Sequence, residues 1–363
     1  ATVDTNILLK SLRQSDVPMQ HDVLPRFCEL FSKSVFVKQT ATPCAFTPSE
    51  SWVILSPIEQ SIKRKIESVG TPLKDWGVNI YRGILTGCNE AFIIDEAKRA
   101  EILANCRDAA ERKRTDALIR PILRGRDIKR YVYEWAHLYI IATFPAKHLD
   151  IEDYPAVKNH LLSFGMERLE QTGREHLING KRIKSRKKSG NKWFETQDTI
   201  SYMDDFDKPK IVWMDLSDVP TFAYDDNAQF TNNTVYFLSG RENLLYLLGY
   251  LNSEIATYLF SQIGSTSGVG TTRWQAFTME RLFVPRATPE KQSQIAGLVD
   301  RIIAAKKDDP SADTSSIEQA INKLVYRLYG LTATESTVVE DKLYCEPPNN
   351  EKRLYHNLCA NLK

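Results

Sequence analysis

Residues 118–131, LIRPILRGRDIKRY, constrain the fold more than any other stretch of the chain. Leu118, Ile119, Ile122, Leu123 and Ile128 are interleaved with Arg120, Arg124, Arg126, Lys129 and Arg130. Pro121 holds the residue before it in an extended or turn conformation. Gly125 permits a positive φ or a close backbone approach. The pattern predicts a basic turn anchored by its apolar residues, with guanidinium groups projecting outward. Such a turn suits phosphate or base-edge contacts, because arginine presents a planar fork of donors that pairs bidentately with either. A solvated charged loop on a buried anchor fits the same residues.

The chain has 363 residues, more than one compact core usually holds, which implies two or three domains. At 42% hydrophobic and 26% charged residues the composition is that of an ordinary soluble globular protein. The net charge is only +2, so a nucleic-acid surface would have to come from local clustering of basic residues. Cys28, Cys44, Cys88, Cys106, Cys345 and Cys359 are scattered without a CxxC pair, which points to reduced thiols in a cytoplasmic protein. Cys345, His356 and Cys359 make an incomplete zinc set, and no metal site is expected. No signal peptide and no membrane-spanning apolar run is evident, so no membrane partner is expected. The chain starts at Ala1 and enters a strand-like run at once, and it reads as a piece of something longer.

In chain order, residues 2–9 and 34–38 read as strands around a short helix at 23–31, the edge of an α/β domain. Pro57 opens a helix to Val69. Residues 79–95, NIYRGILTGCNEAFIID, read as a glycine-containing hairpin, with 91–94 as its second strand. Small residues, Thr86 and Asn89 sit in its turn, where a ligand backbone could approach. Residues 96–113 read as one helix with a charged exposed face. Residues 138–144 form an apolar strand, and Pro155 opens another helix. From 174 to 192 come Arg174, Lys181, Arg182, Lys184, Arg186, Lys187, Lys188 and Lys192, with Glu175 the only acid. This is a solvated loop, a flexible arm that neutralises phosphates, or both. Strands follow at 209–214, 221–224 and 234–238, then an apolar helix at 244–260 interrupted by Asn252 and Ser253. A Gly, Ser and Thr loop at 264–274 carries Thr272 and Arg273, and 279–285 is extended. Residues 289–306 and 315–329 read as an antiparallel pair of amphipathic helices, and the tail from Thr332 as polar and extended.

The series GILTGCNEAFIID, RPILRGRDIKRY, YPAVKNHLLSF, KWFE, PKIVW, LGYLNSEIATYLF, RLFVP and LVYRLYGLTATE resembles the TaqI-like C-terminal specificity domain. That domain is the target-recognition part of type IIG restriction–modification enzymes and related adenine-N6 DNA methyltransferases. The resemblance covers residues 83–335. The stretches at 251–253 and 282–303 also look like specificity subunits of type I restriction enzymes, and the opening ATVDTNILL like the end of a class γ methyltransferase domain.

The resemblance implies an α+β recognition domain, mixed or antiparallel in its sheets, with a C-terminal helical hairpin. The implied domains are 1–50 as the tail of an α/β methyltransferase domain, 51–286 as the target-recognition domain, and 287–363 as hairpin and tail. Family enzymes methylate with an Asn-Pro-Pro-Tyr/Phe loop and bind S-adenosylmethionine through a glycine-rich loop, and this sequence contains neither. Glu111-Arg112-Lys113 lacks the upstream Pro-Asp of a nuclease centre. The fragment is therefore expected to bind double-stranded DNA without catalytic residues or a cofactor of its own. S-adenosylmethionine would belong to a methyltransferase domain of the same polypeptide, with or without a nuclease domain, in a phage-defence enzyme. Lys129, Arg130, Lys181, Arg182, Lys184, Arg186, Lys187 and Lys188 are assigned to phosphates. Thr86, Asn89, Arg124, Arg126, Thr272 and Arg273 are assigned to base edges. The alternative is a protein–protein docking module in which the helical pair at 289–329 binds a nuclease or methylation subunit.

Overall fold

The computed structural model describes residues 55–344 apart from 218, 264 and 267–271. The expected strands and helix of the first 50 residues, and the Cys345, His356 and Cys359 group, lie outside the described residues. The chain divides into two compact units, Ala1–Arg64 and Lys65–Lys363. The described part of the first unit is a helical start. There, Ser56 and Glu59 cap each other, the Ser56 N–H donating to Glu59 Oε2 at 2.6 Å and the Glu59 N–H to Ser56 Oγ at 3.4 Å.

The elements begin with α1 (Pro57–Val69), β1 (Gly70–Pro72), β2 (Val78–Arg82), α2 (Asn89–Phe92), β3 (Ile93–Asp95), α3 (Glu96–Ala104) and α4 (Ala109–Leu118). Next come β4 (Ile119–Leu123), β5 (Leu138–Ile141), α5 (Pro155–Leu162), α6 (Met166–Leu169), β6 (Glu175–Ile178) and β7 (Lys181–Lys184). Then follow β8 (Lys210–Met214), β9 (Phe222–Asp225), β10 (Phe230–Thr231), β11 (Val235–Gly240), α7 (Leu244–Leu251) and α8 (Glu254–Ile263). The described chain closes with β12 (Ser265–Thr266), β13 (Thr272–Arg273), α9 (Ala276–Met279), β14 (Phe283–Pro285), α10 (Pro289–Asp308), α11 (Ser315–Leu328) and α12 (Ala333–Tyr344).

Two four-stranded sheets share one core. The first runs β2-β11-β8-β9 and is antiparallel throughout. The second runs β10-β4-β5-β3 and is mixed, because β10 lies parallel to β4. Ile122, Ile140, Val212, Ala223, Phe230 and Phe237 are buried between them. Successive residues of a strand face opposite ways, so Ile141 turns its back on this core. It packs with Ile119 against Phe92, Ile102, Val157 and Leu161 of a helical layer. On the first sheet, Trp213 likewise points away from Val212 and stacks on Tyr236. Trp274 packs edge-on to Phe222 and stacks on Phe260 of α8 at 3.8 Å between centroids. The result is helices, sheet, sheet and helices in layers. The expected α+β class with mixed and antiparallel sheets and C-terminal helices is borne out. α10 and α11 pack on each other, and both also pack on α7. At Gly249 a Cβ would lie 2.7 Å from Ile295 Cγ2, so glycine lets α10 lie close against α7.

Several expected elements are corrected. The single helix at 96–113 is two, because Asp95 and Asp108 each cap a new start, accepting from the Lys98 and Glu111 N–H groups at 2.8 and 2.7 Å. The 79–95 hairpin does not form, since β2 pairs with β11 and β3 with β5. Asn89–Phe92 is a helical turn where a strand was expected from Ala91. The 279–285 run is extended only from Phe283, after α9 and a turn. Of the tail from Thr332, the described residues Ala333–Tyr344 are helical, because Thr332 and Glu335 form a reciprocal cap with bonds of 2.7 and 3.2 Å. The basic arm is ordered as a hairpin in which Glu175 to Ile178 pair with Lys184 to Lys181.

Candidate nucleic-acid interface

The basic residues singled out in the sequence fall into two clusters. The first is the arm. Asn179 and Gly180 take φ of +49° and +75°, the two left-handed positions of a tight hairpin turn. Lys181, Arg182, Lys184, Lys187 and Lys188 are exposed. Arg186 is the exception, at 2% exposure. Its Nε donates to the Leu169 carbonyl at 2.8 Å, and its two terminal nitrogens donate to the carbonyls of Thr86 (2.8 Å), Glu195 (2.7 Å) and Trp193 (2.5 Å). The guanidinium also lies over the Phe92 ring, 5.1 Å from its centroid. Burial lowers its pKa to about 10, which leaves it charged at neutral pH. Arg186 is thus consumed in clamping the hairpin to the 86–88 loop, and its assignment to phosphate is withdrawn.

Between hairpin and loop lies an open cleft of about 500 Å³ lined by Gly87, Arg168, Arg182, Ile183, Lys184, Ser185, Arg186 and Lys187. Gly87 has φ +76°, and a Cβ there would lie 2.8 Å from Arg186 Cδ, so glycine fits where a larger residue would collide. Thr86 is fully buried. Its hydroxyl donates to Asn89 Oδ1 at 2.7 Å and accepts from the Cys88 N–H at 3.1 Å, which fixes the loop and leaves Thr86 no access to a base. Asn89 is exposed beside it. Burial pushes the Cys88 thiol up to about 11, so it is protonated and no nucleophile.

The second cluster surrounds the basic turn at Arg124–Asp127. Gly125–Asp127 is a tight helical turn following β4. The Gly125 N–H donates to Thr234 Oγ1 at 3.1 Å, and a Cβ there would lie 2.9 Å from Met214 Sδ. The ends of β4 and β8 and the start of β11 therefore meet at one end of the sandwich. Leu216, just past β8, bridges to Arg273, and the Ser217 N–H donates to the Thr272 carbonyl at 3.2 Å. Arg126 is exposed at this end, and Thr272 and Arg273 are half-buried. Arg124 is spent on the turn itself. Its Nε and a terminal nitrogen grip Asp127 at 3.1 and 2.8 Å, and the Asp127 carboxylate also accepts the Arg124 N–H at 2.8 Å. Arg130 is drawn to the helical layer, bonding Glu318 Oε2 at 2.6 Å and the Asn252 carbonyl at 2.5 Å. Lys129 is exposed and lies 3.8 Å from Glu134.

The two clusters are connected through the backbone, since the Gly83 N–H donates to the Val235 carbonyl at 2.7 Å. A Cβ on Gly83 would lie 2.1 Å from the Asn232 carbonyl oxygen. Gly83→Ala should therefore cost at least about 1–3 kcal/mol, read as a lower denaturation midpoint. Sequence reasoning missed Arg168, which carries no local signal and reaches the cleft only through the fold, where it pairs with Glu90 at 2.8 Å. Among the described residues no group of three or more His, Cys, Asp or Glu side chains is placed to hold a metal ion. Among them, too, no helix is long and apolar enough to cross a membrane.

Over 295 residues, 80% of this chain and 45% of the relative, the chain is 22% identical to the type II methyltransferase M.PaeR7I of Pseudomonas aeruginosa. It thus spans under half the length of that relative. Among solved structures, it is similar to the type IIL restriction–modification enzyme MmeI in complex with DNA, with a TM-score of 0.48 and 12% identity over 73% of this chain and 34% of that one. For the type IIG restriction endonuclease BpuSI the TM-score is 0.44, with 11% identity over 75% and 32%. For the HsdS subunit of Thermoanaerobacter tengcongensis it is 0.27, with 12% identity over 75% and 50%. Residues 120–284, from β4 to β14, match the TaqI-like C-terminal specificity domain, and the family resemblance read from the motifs is borne out.

Proposed function

We propose that this chain is the target-recognition part of a restriction–modification DNA methyltransferase and that it binds double-stranded DNA sequence-specifically. The observation that carries the reading is the basic cleft. Arg182, Lys184 and Lys187 are held around it on a hairpin locked by a buried arginine, so the charge is organised before any partner arrives. Preorganised cations lose less side-chain freedom on binding than a mobile tail would.

Contacts divide by what each group can reach. Lys129, Lys181, Lys187 and Lys188 are exposed ammonium groups suited to phosphates, each phosphate contact adding about 0.9 to the slope of affinity against log salt. Arg126 in the turn after β4, Asn89 at the start of α2, and Thr272 and Arg273 in β13 are suited to base edges. Arg124, Thr86, Arg130 and Arg186 hold these segments in place. In the intact enzyme a methyltransferase domain would flip an adenine from the duplex. S-adenosylmethionine would supply the methyl group there.

Paired variants test this. Arg126→Ala should cost about 1–3 kcal/mol of binding and relax one position of the site, whereas Lys187→Ala should weaken all sequences alike and reduce the salt slope by about one. Arg126→Ala with unchanged affinity and preference would remove the turn from the interface.

A further inference from the structure

Leu177 is 73% exposed at the centre of the arm hairpin. In the strand register Leu177 lies opposite Arg182, and Glu175 opposite Lys184. Side chains alternate along a strand and directly opposed residues share a face, so these four form one face of the ribbon. His176, Ile178 and Ile183 are half-buried and belong to the other. The base of the ribbon is fixed. His176 Nε2 lies 2.6 Å from Glu170 Oε1, which also accepts the Thr172 hydroxyl at 2.8 Å. The Ser185 N–H donates to the Arg174 carbonyl at 2.9 Å.

A phosphate clamp needs only cations. This face instead presents an apolar side chain beside a guanidinium, an ammonium and a carboxylate, on a rigid two-stranded support. These are groups that separate base pairs: an apolar contact takes a thymine methyl, an arginine fork takes guanine, and a carboxylate accepts from cytosine. The major groove, about 12 Å wide, admits a two-stranded ribbon. The neighbouring Arg174, Lys181, Lys187 and Lys188 are exposed and complement the phosphates on either side.

We propose that the β6–β7 ribbon enters the major groove of duplex DNA and reads base edges, Leu177 against a thymine methyl and Arg182 on a neighbouring guanine. This rests on the proposed DNA-binding function. It departs from the sequence expectation, which gave the whole arm to phosphates.

The test uses the full chain. A randomised duplex pool first yields the preferred site. Each thymine of that site is then replaced singly by uracil, which removes only the methyl group, and binding is compared among the unaltered chain, Leu177→Ala and Arg182→Ala. At one thymine, uracil should weaken the unaltered chain by about fourfold, the worth of one buried methyl, and should make no difference to Leu177→Ala. Arg182→Ala should lose about tenfold or more of its discrimination at one G·C pair. Leu177 is largely exposed, so its variant reports on contact and not on folding. If the chain enriches a motif that both variants bind with unchanged preference, the ribbon does not read bases, while the DNA-binding function stands. A drop that is uniform over all sequences makes the ribbon a phosphate clamp and overturns the proposal. Failure of the unaltered chain to bind any duplex overturns the proposal together with the function it rests on.

Discussion

Replacing Arg186 by alanine is expected to lower stability by about 3–5 kcal/mol and to abolish the arm's contribution to DNA binding. The guanidinium supplies the hydrogen bonds of four carbonyls, from Leu169, Thr86, Trp193 and Glu195, in a region with little access to water. Truncation takes the arginine donor from the Leu169, Thr86 and Trp193 carbonyls, leaves Glu195 only its bond from Gln171 Nε2 at 3.0 Å, and opens a hole under the hairpin. Lysine should rescue poorly, because one ammonium cannot reproduce a planar fork bonding several acceptors at once. Denaturant midpoints of Arg186→Ala and Arg186→Lys, read beside Lys187→Ala as an exposed neighbour, check this. Near-neutral stability of Arg186→Ala would show that the clamp does not hold the loop.

Lys210→Met should be comparably damaging. Lys210 and Asp225 form an ion pair of 2.6 Å with both side chains fully buried. Burial pulls the Lys210 pKa down even with Asp225 beside it. Asp225 is further held by the Tyr133 hydroxyl at 3.1 Å and by the Asn227 and Gln229 N–H groups at 2.9 and 3.0 Å. Removing the lysine alone strands a buried carboxylate, at a cost of about 3–5 kcal/mol. Adding Asp225→Asn removes the charge and keeps an acceptor for one of the two amides, which donate to different oxygens of Asp225, so the double variant should recover part of that loss. Additive losses in the double variant would mean that the two residues do not act as a pair.

Both effects concern groups that sequence reading handled unevenly. KIVWM and LYII were legible as strands because their apolar residues are nearly continuous. The hairpin was also within reach, since Asn179-Gly180 is a turn signal, yet the density of surrounding lysines read as a solvated loop. The Thr332-x-x-Glu335 cap was equally present in the tail. The fate of Arg186 was not legible. It is one cation in a run of similar cations, and what singles it out is the meeting of carbonyls from Thr86, Leu169, Trp193 and Glu195, set by tertiary structure. Arg124 is intermediate, because an aspartate three residues on could have been read as its partner.

The proposed function requires that this chain read duplex sequence through its preorganised basic cleft and the Arg126 turn. Selection from a randomised duplex pool at two salt concentrations tests it most directly. One enriched motif is expected at both concentrations, with affinity falling as salt rises. Binding that enriches nothing at either concentration, or no binding to duplex at low salt, would contradict it.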